Sequence, residues 1–178
     1  LKLVSKIISK KNYIKKRIES INRSLKIDFG IKKPKLLVSG LNPHAGENST
    51  IGKEEEETIL PQLKYLKKNG IIVDGPVSAD SMINEYNLKK YNCFIFMFHD
   101  QALIPFKYIS KFSGVNYTAN LDIIRTSPDH GTAYNLLNYD INKVSNKSLV
   151  NCFKLIKKIK YNRTLYARAK EVFKSKFY

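Results

Sequence analysis

Cys93 to Phe98 reads CFIFMF, six consecutive apolar residues. A strand with apolar side chains on both faces must be covered on both faces, as in a parallel sheet flanked by helices. Two shorter apolar runs have the same character. Leu36 to Ser39 (LLVS) runs into Gly40, and Ile71 to Val73 is ended by Gly75-Pro76. Between them lies a helical segment. It starts near Glu54, places Glu54 to Glu57 at its positive N-terminal dipole, and ends on Lys67, Lys68, Asn69 and Gly70. Pro61 falls inside that segment and predicts a kink. Ahead of the first strand, Leu1, Val4, Ile7, Ile8, Ile14, Ile18, Ile21 and Leu25 recur at three- and four-residue spacing. They predict one opening helix that ends near Asp28, with Gly30 as its stop and Pro34 beyond it.

Further along, a short helical turn is expected at Ala79 to Ile83, a strand at Val115 to Thr118 and a loop at Arg125 to Gly131. Thr132 to Leu137 begins a helix, and the chain from Ser148 onward is helical and basic. Strands alternating with helices give an α/β fold, a mostly parallel sheet with flanking helices.

Composition removes several function classes. With 43% hydrophobic residues the chain can bury a core. No apolar run approaches the ~20 residues of a membrane span, and the basic N-terminus lacks the apolar centre of a signal peptide. Cys93 and Cys152 are too few for a disulfide framework or zinc ribbon, and read as free thiols in a reducing cytoplasm. The net charge of +17 raises nucleic acid as a partner. The lysines are spread along the chain, however, without an arginine cluster, zinc-finger spacing or aromatic RNA-binding signature. A solvated basic surface is the preferred reading, and a basic nucleic-acid-binding module the rival from another class. The chain opens on Leu1 rather than Met, directly in a helical pattern, so a partial sequence is expected.

Ligands of open α/β sheets collect beyond the carboxyl ends of the strands. His44 lies four residues past Gly40, among Asn42, Pro43, Gly46 and Glu47, and His99 follows directly on Phe98. A histidine taken singly is more often structural than a ligand. Two histidines at equivalent strand ends can converge on one cleft, and imidazole is the commonest protein ligand of zinc and cobalt.

Four segments then carry a resemblance: GLNPHAGE (Gly40 to Glu47), GPVSAD (Gly75 to Asp80), MFHDQALIPFKY (Met97 to Tyr108) and GVNYTANLDIIRTSPDHGTA (Gly114 to Ala133). In sequence, order and spacing the chain resembles the 4-hydroxythreonine-4-phosphate dehydrogenase family from about Leu1 to Leu137, as a C-terminal half. The resemblance implies an isocitrate/isopropylmalate dehydrogenase-like two-domain fold, of which residues 1–178 are part, with an internal boundary at roughly 100–115. It implies NAD or NADP as cofactor, together with zinc, cobalt or magnesium.

The family's metal is held by three histidines. Two carry over to His44 and His99, and the third belongs to a threonine-threonine-histidine segment that these 178 residues lack. The chain alone is therefore expected to be inactive. His130, Gly131 and Thr132 match a loop lining the adenosine part of the cofactor. Lys107, Asn116 and Arg125 match substrate contacts. An ammonium, an amide and a guanidinium suit a substrate with a phosphate and a carboxylate. Asp80 and Asp100 fall near the metal, as partners of ligating histidines or as proton carriers, and Lys107 joins them as a catalytic candidate.

The implied reaction is metal-assisted oxidation of 4-phosphooxy-L-threonine followed by decarboxylation, in pyridoxal 5'-phosphate biosynthesis, by a cytoplasmic homodimer. A paralogue acting on another four-carbon phosphorylated hydroxy acid is the nearest alternative. The absence of a GxGxxG fingerprint fits this group, whose nicotinamide site is not of the Rossmann type.

Overall fold

The structure is a computed structural model that describes residues 2–129 and 144–175. It divides into two compact units, Leu1–Lys26 with Ile31–Pro105, and Ile27–Gly30 with Phe106–Tyr178.

In the first unit, the periodic opening segment forms two helices rather than one: α1 (Lys2–Ile8) and α2 (Tyr13–Ile27). The break falls at Asn12, whose φ of 60° is left-handed, next to two lysines that contribute no apolar anchor. α2 buries Ile14, Ile18, Asn22 and Leu25, one stripe at helical spacing. Its first turn is satisfied from outside, because the Lys15 N–H donates to Gln62 Oε1 at 3.0 Å.

A three-stranded parallel sheet follows, in the order β2-β1-β3. Its strands are β1 (Lys35–Ser39), β2 (Ile72–Val77) and β3 (Cys93–Ile95). Central β1 is the most buried, with Leu36, Leu37 and Val38 almost without exposure. Leu37, Met82 and Tyr91 form a cluster against which Val77, Phe94 and Phe96 pack.

Two strand expectations need correction. Gly75-Pro76 does not end β2, which continues to Val77. Gly75 allows this: its φ is 121°, and a Cβ there would lie 2.3 Å from the Val38 carbonyl oxygen. β3 stops at Ile95, not Phe98, and its residues are half-buried rather than enclosed.

Between β1 and β2, a π-helical stretch Glu55–Ile59 leads into α3 (Leu60–Lys68), which lies against β2. The Leu60 N–H donates five residues back to Glu55 O, so Pro61, which has no N–H, is accommodated in the first turn of α3. α3 ends as its sequence indicates. Gly70 has φ 78°, its N–H donates to Lys67 O, and the Ile71 N–H donates to Leu66 O, a Schellman closure. Residues 79–82 form only a turn, closed by Met82 N–H to Ala79 O. The hydrophilic stretch after it forms α4 (Glu85–Lys90), capped by the Asn84 side chain.

α5 (His99–Ser110) has Pro105 in its interior. In the second unit, β4 (Val115–Thr118) pairs antiparallel with β5 (Arg125–Pro128), a strand where a loop was expected. α6 (Lys147–Ser175) packs on both. Ser148 joins the pieces, its hydroxyl donating to Gly114 O and accepting the Asp129 N–H at 3.0 Å. The helix expected at Thr132 to Leu137 lies outside the described residues.

Candidate functional site

Because β1 and β3 are parallel neighbours, their carboxyl ends open on the same edge of the sheet. The chain leaves β1 through Gly40 and enters an unusual loop. All six residues from His44 to Ser49 have positive φ: 52°, 52°, 83°, 44°, 54° and 68°. Left-handed backbone costs about 1–2 kcal/mol per non-glycine residue, so such a run persists only where its surroundings hold it.

Glu55 does most of the holding. Its buried carboxylate accepts the N–H groups of Leu41 (2.7 Å) and Asn42 (2.8 Å) and the Asn42 amide (2.9 Å). Glu54 takes a second Asn42 amide bond at 2.8 Å and the Ser5 hydroxyl at 2.8 Å, which together hold its carboxyl below the usual range. Ser49 donates to Glu56. The acidic run read as a partner of the helix dipole is thus chiefly a clamp on the His44 loop. Gly40 and Gly46 are required here. A Cβ on Gly40 would lie 2.9 Å from Ala45 Cα, and one on Gly46 would lie 2.7 Å from Glu55 Oε2.

His99 does not directly end β3. It is the first residue of α5, separated from the strand by Phe96, Met97 and Phe98. Its Nδ1 lies 2.7 Å from Asp100 Oδ1, and its side chain is 77% exposed. A carboxylate on Nδ1 fixes that nitrogen as the protonated one and leaves the Nε2 lone pair free to bind. Asp80, in the turn after β2, accepts the Ser78 hydroxyl, which lowers its pKa. The backbone N–H groups of Ser81 and of Asp80 itself and the charge of His44 add to this. His44 and Asp80 therefore sit within electrostatic range of each other.

Gln101, in the first turn of α5, links the two histidine segments. Its Oε1 accepts the Ser39 hydroxyl at 3.2 Å and the Met97 N–H at 3.1 Å, and its Nε2 donates to Gly40 O at 3.1 Å. The donor chemistry fits a divalent ion: two imidazoles, one with a carboxylate behind it. Among the described residues no group of three or more His, Cys, Asp or Glu is arranged to hold one.

The second unit carries the predicted anion contacts. Asn116 is paired with Ser127 and Thr118 with Arg125, so these four side chains share one face of the hairpin. Arg125 donates to the Thr118 hydroxyl at 2.8 Å, which orients its exposed guanidinium. Lys107 is held by Asp129, whose carboxylate lies 3.3 Å from its Nζ just past the end of β5.

Tyr117 faces the opposite way and is anchored. Its hydroxyl donates to Asp28 Oδ2 at 2.6 Å, while Arg163 of α6 donates to Asp28 Oδ1 at 2.7 Å. Burial, then the Asp28 hydrogen bond and charge, push the Tyr117 phenol up to about 12. His130, Gly131 and Thr132 lie outside the described residues.

The sequence model of the family described as "Pyridoxal phosphate biosynthetic protein PdxA" matches residues 1–156. The chain belongs to this family. Among PdxA-type relatives, it is 45% identical over 141 residues to the 4-hydroxythreonine-4-phosphate dehydrogenase of Sulfurihydrogenibium sp. (strain YO3AOP1), covering 79% of this chain and 43% of the relative. It is 49% identical over 123 residues to the Neisseria meningitidis (serogroup B) protein of the same name, covering 67% and 37%.

The crystal structure of 4-hydroxythreonine-4-phosphate dehydrogenase from Klebsiella pneumoniae matches with a TM-score of 0.66 at 32% identity, over 85% of this chain and 44% of that one. A terephthalate 1,2-cis-dihydrodiol dehydrogenase from Burkholderia xenovorans LB400, at 23% identity and a TM-score of 0.61, shares the fold. These folds are isocitrate/isopropylmalate dehydrogenase-like, and the α/β class read from the sequence holds. The chain spans less than half the length of the relatives it matches.

Proposed function

We propose that the whole protein is a 4-hydroxythreonine-4-phosphate dehydrogenase, oxidising 4-phosphooxy-L-threonine with NAD or NADP and a divalent metal, and then decarboxylating the product. The observation that supports this reading is that His44 and His99 follow β1 and β3, parallel neighbours whose carboxyl ends share one edge of the sheet, within a chain of the PdxA family. When bound, a nicotinamide would supply the hydride acceptor, and a divalent metal held by His44 and His99, whether zinc, cobalt or magnesium, would supply Lewis-acid polarisation.

The chain's own residues have separable tasks. His44 and His99 hold the ion. Asp100 keeps the His99 Nε2 lone pair available. Asp80, with its pKa lowered mainly by Ser78, is ionised at neutral pH, which suits a fixed negative charge better than a general base. Arg125 and Asn116 receive the substrate's anionic groups, and Lys107 supplies a further cation that Asp129 keeps in place. By the family resemblance His130, Gly131 and Thr132 would receive the adenosine part of the cofactor. In this reading the residues 1–178 belong to a two-domain enzyme that works as a cytoplasmic homodimer. Among the described residues no helix is long and apolar enough to cross a membrane.

The test is formation of reduced nicotinamide by the intact protein with added Co²⁺, comparing 4-phosphooxy-L-threonine with erythronate 4-phosphate. Turnover of the first in preference to the second is expected, and Arg125→Ala should raise its KM at least ~10-fold by removing a charge-assisted contact. Preference for the erythronate would assign the protein to a paralogous activity.

A further inference from the structure

We infer that Gln101 is a positioning residue whose single side-chain amide fixes the spacing between the His44 loop and the His99 turn. The inference rests on the metal reading of those two histidines. β1 and β3 pair only through Leu36–Cys93, Leu37–Phe94 and Val38–Ile95. Beyond that register β1 stays paired only with β2, through Ser39 and Val77, while β3 has ended and its chain runs on through Phe96 to Phe98 before His99 is reached. Nothing in the strand ladder therefore sets the distance between the two segments.

The Gln101 amide sits across this gap. Its oxygen uses both lone pairs, one for the hydroxyl of fully buried Ser39 and one for the Met97 N–H, and its nitrogen donates to Gly40 O. Ser39 and Gly40 are the last residues before the His44 loop. Met97 lies two residues ahead of His99, and Gln101 itself lies two residues beyond it on the first turn of α5.

Neither neighbouring chemistry can replace it. A carboxylate would lose the bond to the Gly40 carbonyl and repel it, and an aliphatic side chain would lose all three bonds. A two-imidazole pair accepts one ion only if its separation is held to a few tenths of an ångström. The amide is the observed group that ties both sides.

The experiment uses the intact protein and its Gln101→Met, Gln101→Glu and His44→Ala variants. Co²⁺ affinity is followed by the visible absorption of the bound ion, alongside thermal unfolding and amide hydrogen exchange at Met97 in the metal-free state. His44→Ala should abolish the Co²⁺ spectrum. Gln101→Met should weaken Co²⁺ binding ~10-fold or more, the range seen for residues supporting metal ligands, with Tm lowered by the lost bonds and Met97 exchange accelerated. Gln101→Glu keeps the acceptor for Met97 and should protect that amide while still weakening the metal. If Gln101→Met leaves both affinity and exchange unchanged while His44→Ala is silent, the tether is refuted and the metal reading stands. If His44→Ala binds Co²⁺ as the parent does, the metal reading falls, and the exchange at Met97 still decides whether the amide holds the two segments. Should Gln101→Met not fold, the Gln101→Glu affinity decides in its place, and parent-like binding overturns the proposal.

Discussion

Two side chains show how partners set chemistry at the scale of single residues. Asp100 gives His99 a fixed tautomer by taking Nδ1 at 2.7 Å. Asp100→Asn keeps the shape but offers an amide that can present either face, so Co²⁺ affinity of the intact protein should fall 10- to 100-fold, measurable by titration. Tyr117 offers a pH signature. Its folded pKa of about 12 lies above the ordinary ~10 of an unfolded tyrosine. A raised pKa contributes stability that is fully present below pH ~10 and is lost as the pH rises to about 12. Chemical denaturation of the parent and of Tyr117→Phe should therefore differ by a constant amount up to pH ~10, and the difference should shrink above it. A difference that grows with alkalinity would contradict the Asp28 hydrogen bond.

The element scale is where sequence and structure diverge most instructively. β1, β4, the C-terminal stop of α3 at Gly70 and the long basic α6 were legible, because each is written in local pattern or capping chemistry. α5 was not, since Pro105 interrupts the pattern and its apolar residues fall on several faces. β5 was not, because Arg-Thr-Ser-Pro has no alternation to read.

The candidate site divides in the same way. His44, His99 and Asp100 can be read from the sequence as residues that follow apolar strands, while Asp80 is picked out only by the family resemblance. Glu55 and Gln101 were not legible, because the bonds by which they hold the β1 end of the site join positions 13 to 62 residues apart, which no local pattern reports. The left-handed run at His44 to Ser49 belongs to this second class, and it yields a prediction. Gly46→Ala adds a Cβ at φ 83°, within 2.8 Å of both Glu55 Oε2 and Gly52 O. Loss of about 1–2 kcal/mol from the backbone alone, plus displacement of the Glu55 clamp, should lower Tm and weaken Co²⁺ binding together. A variant with normal Tm and normal metal affinity would show that the loop is not under this constraint.

At the scale of the whole molecule, the chain distributes its tasks between units. The first holds His44 and His99 beside its parallel sheet, and the second holds Asn116 and Arg125 on an antiparallel hairpin backed by α6, where the proposed function puts the anion contacts. The net charge of +17 does not by itself indicate a nucleic-acid partner, since the basic residues are dispersed along the chain. In the proposed function His44 and His99 hold one divalent ion. Crystals of the intact protein grown with Co²⁺, with an anomalous difference map collected at the cobalt edge, test it most directly. One strong peak is expected about 2.0–2.2 Å from an imidazole nitrogen of each histidine, Nε2 in the case of His99. A well-occupied cobalt peak elsewhere, with both imidazoles free of metal, would contradict it.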